Sequence, residues 1–263
     1  MRIARYSVDG QIRYGVVELA ADGGQHPDTV ADLTGDPLVG PVNWSSGRHG
    51  LSAVRLLAPV LPRSKVVGLA DNYATNPPPA EAVPDVFFKP NTSVIGPDEP
   101  VVVPGLSQDT RLAGQLAVVI GRICRHVPLE RVPEVIFGHT VANDVTAADL
   151  QRPAAPWGVA KGFDSFTPLG PWIVTHLSLE EVGNLAITAS LDGRVVQQGT
   201  TSRLAWGVAR QIARLSDVMT LLPGDVVLTG TPAGACQIQP GQVVSIDVEE
   251  IGRLTNPVVA EEA

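Results

Sequence analysis

LAGQLAVVIGR (112–122), GHTVANDVTAADLQR (138–152) and WGVAKGFDSFTPLGPWIV (157–174) form the stretch whose reading decides the fold. Each piece holds an apolar run short enough for a strand, bounded by Gly, Pro, Asn or Asp. The polar turns between the runs carry Gln115, Asp144, Gln151 and Lys161. Folding the pieces against one another would gather these four side chains into one candidate site.

Outward from this centre, strand-like runs recur at 101–104, 170–175, 184–191, 225–229 and 243–248, with Gly or Pro near most of them. That spacing predicts a β-sandwich or roll rather than a βαβ sheet. Two amphipathic helices are expected, over Leu129–Ile136 and over Thr201–Leu215 with Thr200 or Thr201 as cap. Toward the N-terminus, RIARYSV and IRYGVVE flank the turn signal Asp9-Gly10-Gln11. Residues 20–50 are rich in Gly, Asp, Pro and Ser and read as irregular small-domain structure or linker. The organisation predicts a small N-terminal domain over 1–60 and a larger one over 61–263.

The 263 residues are 44% hydrophobic, enough for a real core. A formal charge of −8 and the absence of any basic run argue against nucleic acid or anionic membrane as a partner. Cys124 and Cys236 have no metal-type spacing and suggest no disulfide framework. No apolar run approaches a membrane span, and the N-terminus lacks the apolar segment of a signal peptide. A soluble, cytoplasmic protein is expected. Gly-rich phosphate motifs are absent.

From about Lys65 to Val259 the chain resembles the fumarylacetoacetate hydrolase family. The blocks that carry the resemblance are FFKPNTSVIGP (87–97), LAVVIGR (116–122), VANDVTAADLQR (141–152), AKGFDSFTPLGPWIVT (160–175), LLPGDVVLTGTPAG (221–234) and IGRLTNPVV (251–259). The resemblance implies a mainly β (α+β) fold, a mixed β-sandwich roll with a small N-terminal β domain. It also implies a homodimer acting on a small-molecule substrate by C–C hydrolysis, keto-acid decarboxylation, or isomerisation of 2-hydroxydienoates.

The chain departs from the family pattern where the chemistry sits. Metal-binding members read ExE before LAVVIG, whereas this chain has Ala113-Gly114-Gln115 and keeps only Asp144. Hard cations rely on carboxylates, so no tight catalytic metal is expected. A weak Mg²⁺ site through Asp144, Gln115 and water is the alternative. The family's lid motif NYxxHxxE becomes Asn72-Tyr73-Ala74-Thr75-Asn76-Pro77-Pro78-Pro79, without the His and Glu of the acid/base pair. Ala148 stands where a substrate-binding Arg is usual, and Ala235-Cys236 where Val-Gly is usual. Losses confined to the chemistry, with strands spared, favour a natural descendant repurposed for another reaction.

Lys161, in the family's AKGFD block, can stabilise a developing oxyanion; otherwise it is a surface lysine in a turn. Asp144 either partners Lys161 and acts as a base, or caps a helix starting near Val145. Gln151 and Gln115 can bind a substrate carbonyl or instead satisfy buried backbone groups. Asn72, Tyr73 and Asn76 open the lid and are candidate substrate-binding residues of the pocket, and Thr231 resembles the family's contact to a substrate carboxylate. His139 stands for a usual Tyr and is expected to be structural.

These residues predict a metal-independent enzyme without cofactor. It would isomerise, cyclise or dehydrate an enolisable dicarbonyl, keto-acid or polyketide-like intermediate through Lys161 and Asp144. A conventional metal-dependent hydrolase or decarboxylase and a non-catalytic binding subunit are the rival readings.

Overall fold

The computed structural model describes residues 1–20, 27–73, 85–151 and 157–262. The continuous apolar run at its centre becomes strand Gly114–Ile120, buried on both faces. It lies between Ile136–Asn143 and Val226–Leu228, both antiparallel to it. Beyond Val226–Leu228 follow Val66–Leu69, parallel, and Val86–Lys89 at the edge. On the other side Ile136–Asn143 pairs with Thr167–Val174, also buried along its length. Thr167–Val174 in turn pairs with the N-terminal strand Arg2–Val8. Residues 1–60 therefore extend the same 12-stranded sheet rather than forming a separate layer.

A five-stranded sheet covers one face of this sheet: Arg194–Thr200, Ala186–Leu191, Val243–Val248, Gly252–Ala260 and Val101–Val103 in spatial order. Side chains alternate along each strand, so Leu116, Val118 and Ile120 point toward it. There they meet Val141, Ile187, Ile246 and Leu254 in the main core. Ala117 and Val119 point the other way, into a second cluster with Phe87, Ala142, Leu169 and Leu228. Gln115 shares that second face by the same period of two, and the candidate site lies at its end.

The structure corrects several expectations. Strands Thr29–Leu33 and Trp44–Gly50 occupy part of the segment read as irregular. Their composition hid them because Asp32 is buried there, accepting from the Tyr6 hydroxyl and from Arg13 Nη1, while Gly47 leaves room for its carboxylate. The expected helix over 129–136 is a 3₁₀ segment, Leu129–Glu134, with Pro133 removing a backbone donor. The helix expected from Thr201 begins only at Val208 and runs to Val218. Thr200 does cap, but it caps a short 3₁₀ turn, Thr201–Arg203. Between the two, the Trp206 amide donates to the Asn72 side-chain Oδ1 and the Ala205 amide to the Asn72 carbonyl, which interrupts the helix.

His139 faces the core on strand Ile136–Asn143, and both its ring nitrogens are buried without a partner among the described residues. Burial lowers its pKa from 6.5 to about 4. The unfolded chain therefore binds more protons between those values, so stability rises with pH across the window and falls on acidification through it. The shift corresponds to about 3 kcal/mol lost on acidification. His139→Phe is expected to flatten this acid limb, as read by urea unfolding at a series of pH values. An unchanged limb would assign the acid sensitivity to other groups.

Candidate active site

Period two places residues 113 and 115 on one face of a strand, and the ladder sets Asp144 against Ala113, whose carbonyl accepts from the Asp144 amide at 2.9 Å. These positions form the floor of a pocket of about 680 Å³, within the range of small-molecule sites. Gln115, Asp144, Gln151, Lys161, Thr231 and Tyr73 all line it.

No helix starts at Val145, because the chain turns into the two-residue strand Thr146–Ala147 and a 3₁₀ turn. Asp144 consequently caps nothing. Its carboxylate instead sits between two buried ammonium groups. Lys161 Nζ donates to Oδ2 at 2.6 Å and Lys89 Nζ to Oδ1 at 2.7 Å. Lys89 also donates to the carbonyls of Val145 and Phe166, at 2.9 and 2.8 Å, which uses all its protons. Lys161 donates to Thr146 Oγ1 at 2.8 Å and lies 4.2 Å from the centroid of Phe87, a cation–π contact. Two ammonium charges against one carboxylate leave the cluster at +1 when both lysines are protonated.

Burial pushes the Lys89 pKa from 10.5 down to about 8, against the attraction of Asp144. Burial would raise the Asp144 pKa, but the charges and hydrogen bonds of Lys161 and Lys89 outweigh it and hold the carboxyl below its usual range. Asp144 is therefore an anchor for two cations and a poor proton acceptor.

The neighbouring polar groups are mostly committed. Gln115 Oε1 accepts from the Gly230 amide at 2.6 Å. A side chain at Gly230, which has φ +106°, would collide with Asn72 Cβ, so glycine is required there. Thr231 Oγ1 donates to the Gly114 carbonyl at 2.8 Å and accepts from Gln197 Nε2 at 2.7 Å. The Gln151 amide lines the pocket and makes no side-chain hydrogen bond among the described residues. The Tyr73 hydroxyl is buried without a partner among the described residues, and burial raises its pKa, so it stays a proton donor.

Asn72 corrects the sequence expectation of a pocket residue. Its Nδ2 donates to the carbonyls of Trp206 and Thr229, at 3.1 and 2.7 Å, and its Oδ1 accepts from the Trp206 amide at 2.8 Å. It clamps the chain behind the pocket wall. Asn76 lies outside the described residues, as does the rest of the lid segment after Tyr73.

Three charged residues escaped the sequence reading. Lys89 follows the alternation of VFFK, with exposed Val86 and Phe88 against buried Phe87 and Lys89. A lysine on the apolar face of such a strand was a signal. Asp71 lines the pocket in the left-handed region at φ 48°, with no ion pair among the described residues. Arg111 also lines the pocket, and only the tertiary ladder reveals it.

Among the described residues this donor set is short of the carboxylates on which a hard divalent cation relies. Ala113 offers no side-chain ligand, Gln115 Oε1 already accepts from an amide, and each Asp144 oxygen holds an ammonium group. Among the described residues there is no group of three or more His, Cys, Asp or Glu able to hold a metal. Nor, among them, is any helix long and apolar enough to cross a membrane.

Residues 64–259 match the family described as fumarylacetoacetate (FAA) hydrolase, C-terminal. The chain belongs to the fumarylacetoacetate hydrolase family. Residues 1–59 match the family described as Rv2993c-like, N-terminal. Among relatives, Protein Rv2993c of Mycobacterium tuberculosis is 41% identical over 263 residues, spanning 98% of this chain and 94% of that protein. Human oxaloacetate tautomerase FAHD2A, mitochondrial, is 38% identical over 223 residues, 79% of this chain and 70% of that one. Among solved structures, the 5-carboxymethyl-2-hydroxymuconate delta-isomerase of Mycobacterium smegmatis superposes with a TM-score of 0.90 at 42% identity, covering 99% of this chain and 100% of that one. The mixed β-rich fold is thus the one this family shares.

Proposed function

We propose that this family member is a metal-independent isomerase of enolisable keto acids. It interconverts keto and enol forms or moves the double bond of a 2-hydroxydienoate. The observation that carries this reading is the Lys89–Asp144–Lys161 cluster, which holds a +1 charge under a pocket while both lysines are protonated, on a chain whose formal charge is −8. Enolisation breaks the C–H bond beside a carbonyl. The electron pair becomes the C=C bond, and the carbonyl oxygen takes the negative charge until it is protonated. An ammonium already oriented by a carboxylate stabilises that oxygen without reorganising. Of the two ammonium groups in the cluster, Lys161 is the one that lines the pocket. Asp71 is, among the described residues, the pocket carboxylate without an ion pair, and it is assigned as the proton acceptor. Tyr73, kept protonated by burial, donates to the oxygen side of the substrate.

The names of the relatives support the same class, since one is a tautomerase and another a delta-isomerase. Cyclisation or dehydration of a polyketide-like intermediate would use the same enolate stabilisation. Hydrolysis needs an activated water, which a doubly ion-paired Asp144 is ill suited to generate. The test is tautomerisation of oxaloacetate, followed by ultraviolet absorbance of the enol, with and without EDTA. Turnover unchanged by EDTA is expected. Turnover lost to EDTA and restored by Mn²⁺ would return the protein to the metal-dependent hydrolases and decarboxylases. No turnover at all would favour a binding subunit.

A further inference from the structure

Arg111 stands directly opposite Thr146 in the antiparallel pair Thr110–Leu112 with Thr146–Ala147. Directly opposed residues share a face and lie about 5 Å apart at Cα. Thr146 is the residue whose hydroxyl accepts from Lys161 Nζ at 2.8 Å. The Arg111 backbone therefore lies across Thr146 from the Lys161 ammonium, and all three residues line the same pocket.

The guanidinium is oriented but not used up. Arg111 Nε donates to both Asp109 oxygens, at 2.9 and 3.0 Å, and Nη2 donates to Oδ2 at 2.6 Å. That contact fixes the plane of the fork and leaves Nη1 without a hydrogen bond among the described residues. With side-chain exposures of 47% and 27% the Arg111–Asp109 pair is a wet one, weak enough to share its cation with a ligand. A planar guanidinium with a free edge is suited to a carboxylate. A second anion site is also needed if an acidic chain is to draw in a doubly charged substrate.

We propose that Arg111 is the specificity-determining residue of this pocket, binding through its Nη1 edge a carboxylate remote from the carbonyl that Lys161 polarises, so that the substrate is a dicarboxylate. The inference rests on the keto-acid reading given above and names its substrate class.

Calorimetric titration of the full chain with 2-oxobutyrate, which has one carboxylate, and 2-oxoglutarate, which has two, tests it without requiring turnover. The unmodified protein is expected to bind 2-oxoglutarate at least about tenfold more tightly, the gain of one charge-assisted contact. Arg111→Gln should bring that ratio close to one while leaving 2-oxobutyrate unaffected, and Arg111→Lys should keep part of it. Lys161→Met should weaken both acids alike. An unchanged ratio in Arg111→Gln, or no binding of either acid to the unmodified protein, overturns the assignment. Arg111-dependent selectivity together with an absence of tautomerase activity would uphold the anchor and sink the reaction. The substituted position is half exposed, so circular dichroism is expected to show the variant folded.

Discussion

Replacing Asp144 with alanine is expected to destabilise the protein by about 3–5 kcal/mol, the cost of stranding buried charge when one partner of an ion pair is removed. Here the stranded charge is double. Lys89 has a side-chain exposure of 0% and Lys161 one of 7%, and both ammonium groups lie within 2.7 Å of the lost carboxylate. Nothing else among the described residues supplies a negative charge to either. For a chain of this size the melting temperature should fall on the order of 10 °C. Asp144→Asn keeps an acceptor for one lysine and should cost less. The decisive comparison is Asp144→Ala combined with Lys89→Met. Removing one stranded ammonium should make the double variant more stable than the sum of the single losses predicts, a coupling readable by urea unfolding. Simple additivity would mean that the cluster is not held together electrostatically.

This dependence on one buried carboxylate explains which parts of the molecule could be read from its sequence. The central strands were legible because runs such as LAVVI and TPLGPWIV must be buried on both faces, and their order matches the family. Gln115 and Asp144 were legible as neighbours because period two and a single antiparallel pairing suffice to place them. Strands Thr29–Leu33 and Trp44–Gly50 were not, since Asp32 of the first is satisfied by Tyr6 and Arg13 and Arg48 of the second by Glu18, all from elsewhere in the chain. Asn72 misled for a related reason. A lid asparagine and a backbone clamp look identical until Trp206 and Thr229 are seen to surround it. The second lysine belongs to a different case. Lys89 lies on the buried face of the alternating strand Val86–Lys89, where a charge demands a neutralising partner.

Lys161→Met is expected to lower kcat for keto–enol interconversion on the order of 10²–10³-fold, the range for removal of one preorganised oxyanion donor. The fold should survive, because Asp144 retains Lys89 and methionine is of similar length. The pH dependence then separates a local contact from the field of the whole cluster. With the Lys89 pKa lowered by burial to about 8, the cluster carries +1 below that pH and approaches neutrality above it. Turnover of an anionic substrate should therefore fall as pH rises through about 8, with its loss appearing in KM as well as in kcat. Lys89→Met, which never reaches the pocket wall but removes the titrating charge, should resemble the alkaline form at every pH and lose that limb. Rates measured from pH 6 to 10 check both variants, with far-ultraviolet circular dichroism confirming that each is folded. If Lys89→Met keeps the limb near 8, the titrating group lies elsewhere. If Lys161→Met keeps its rate, enolate stabilisation cannot be assigned to this ammonium.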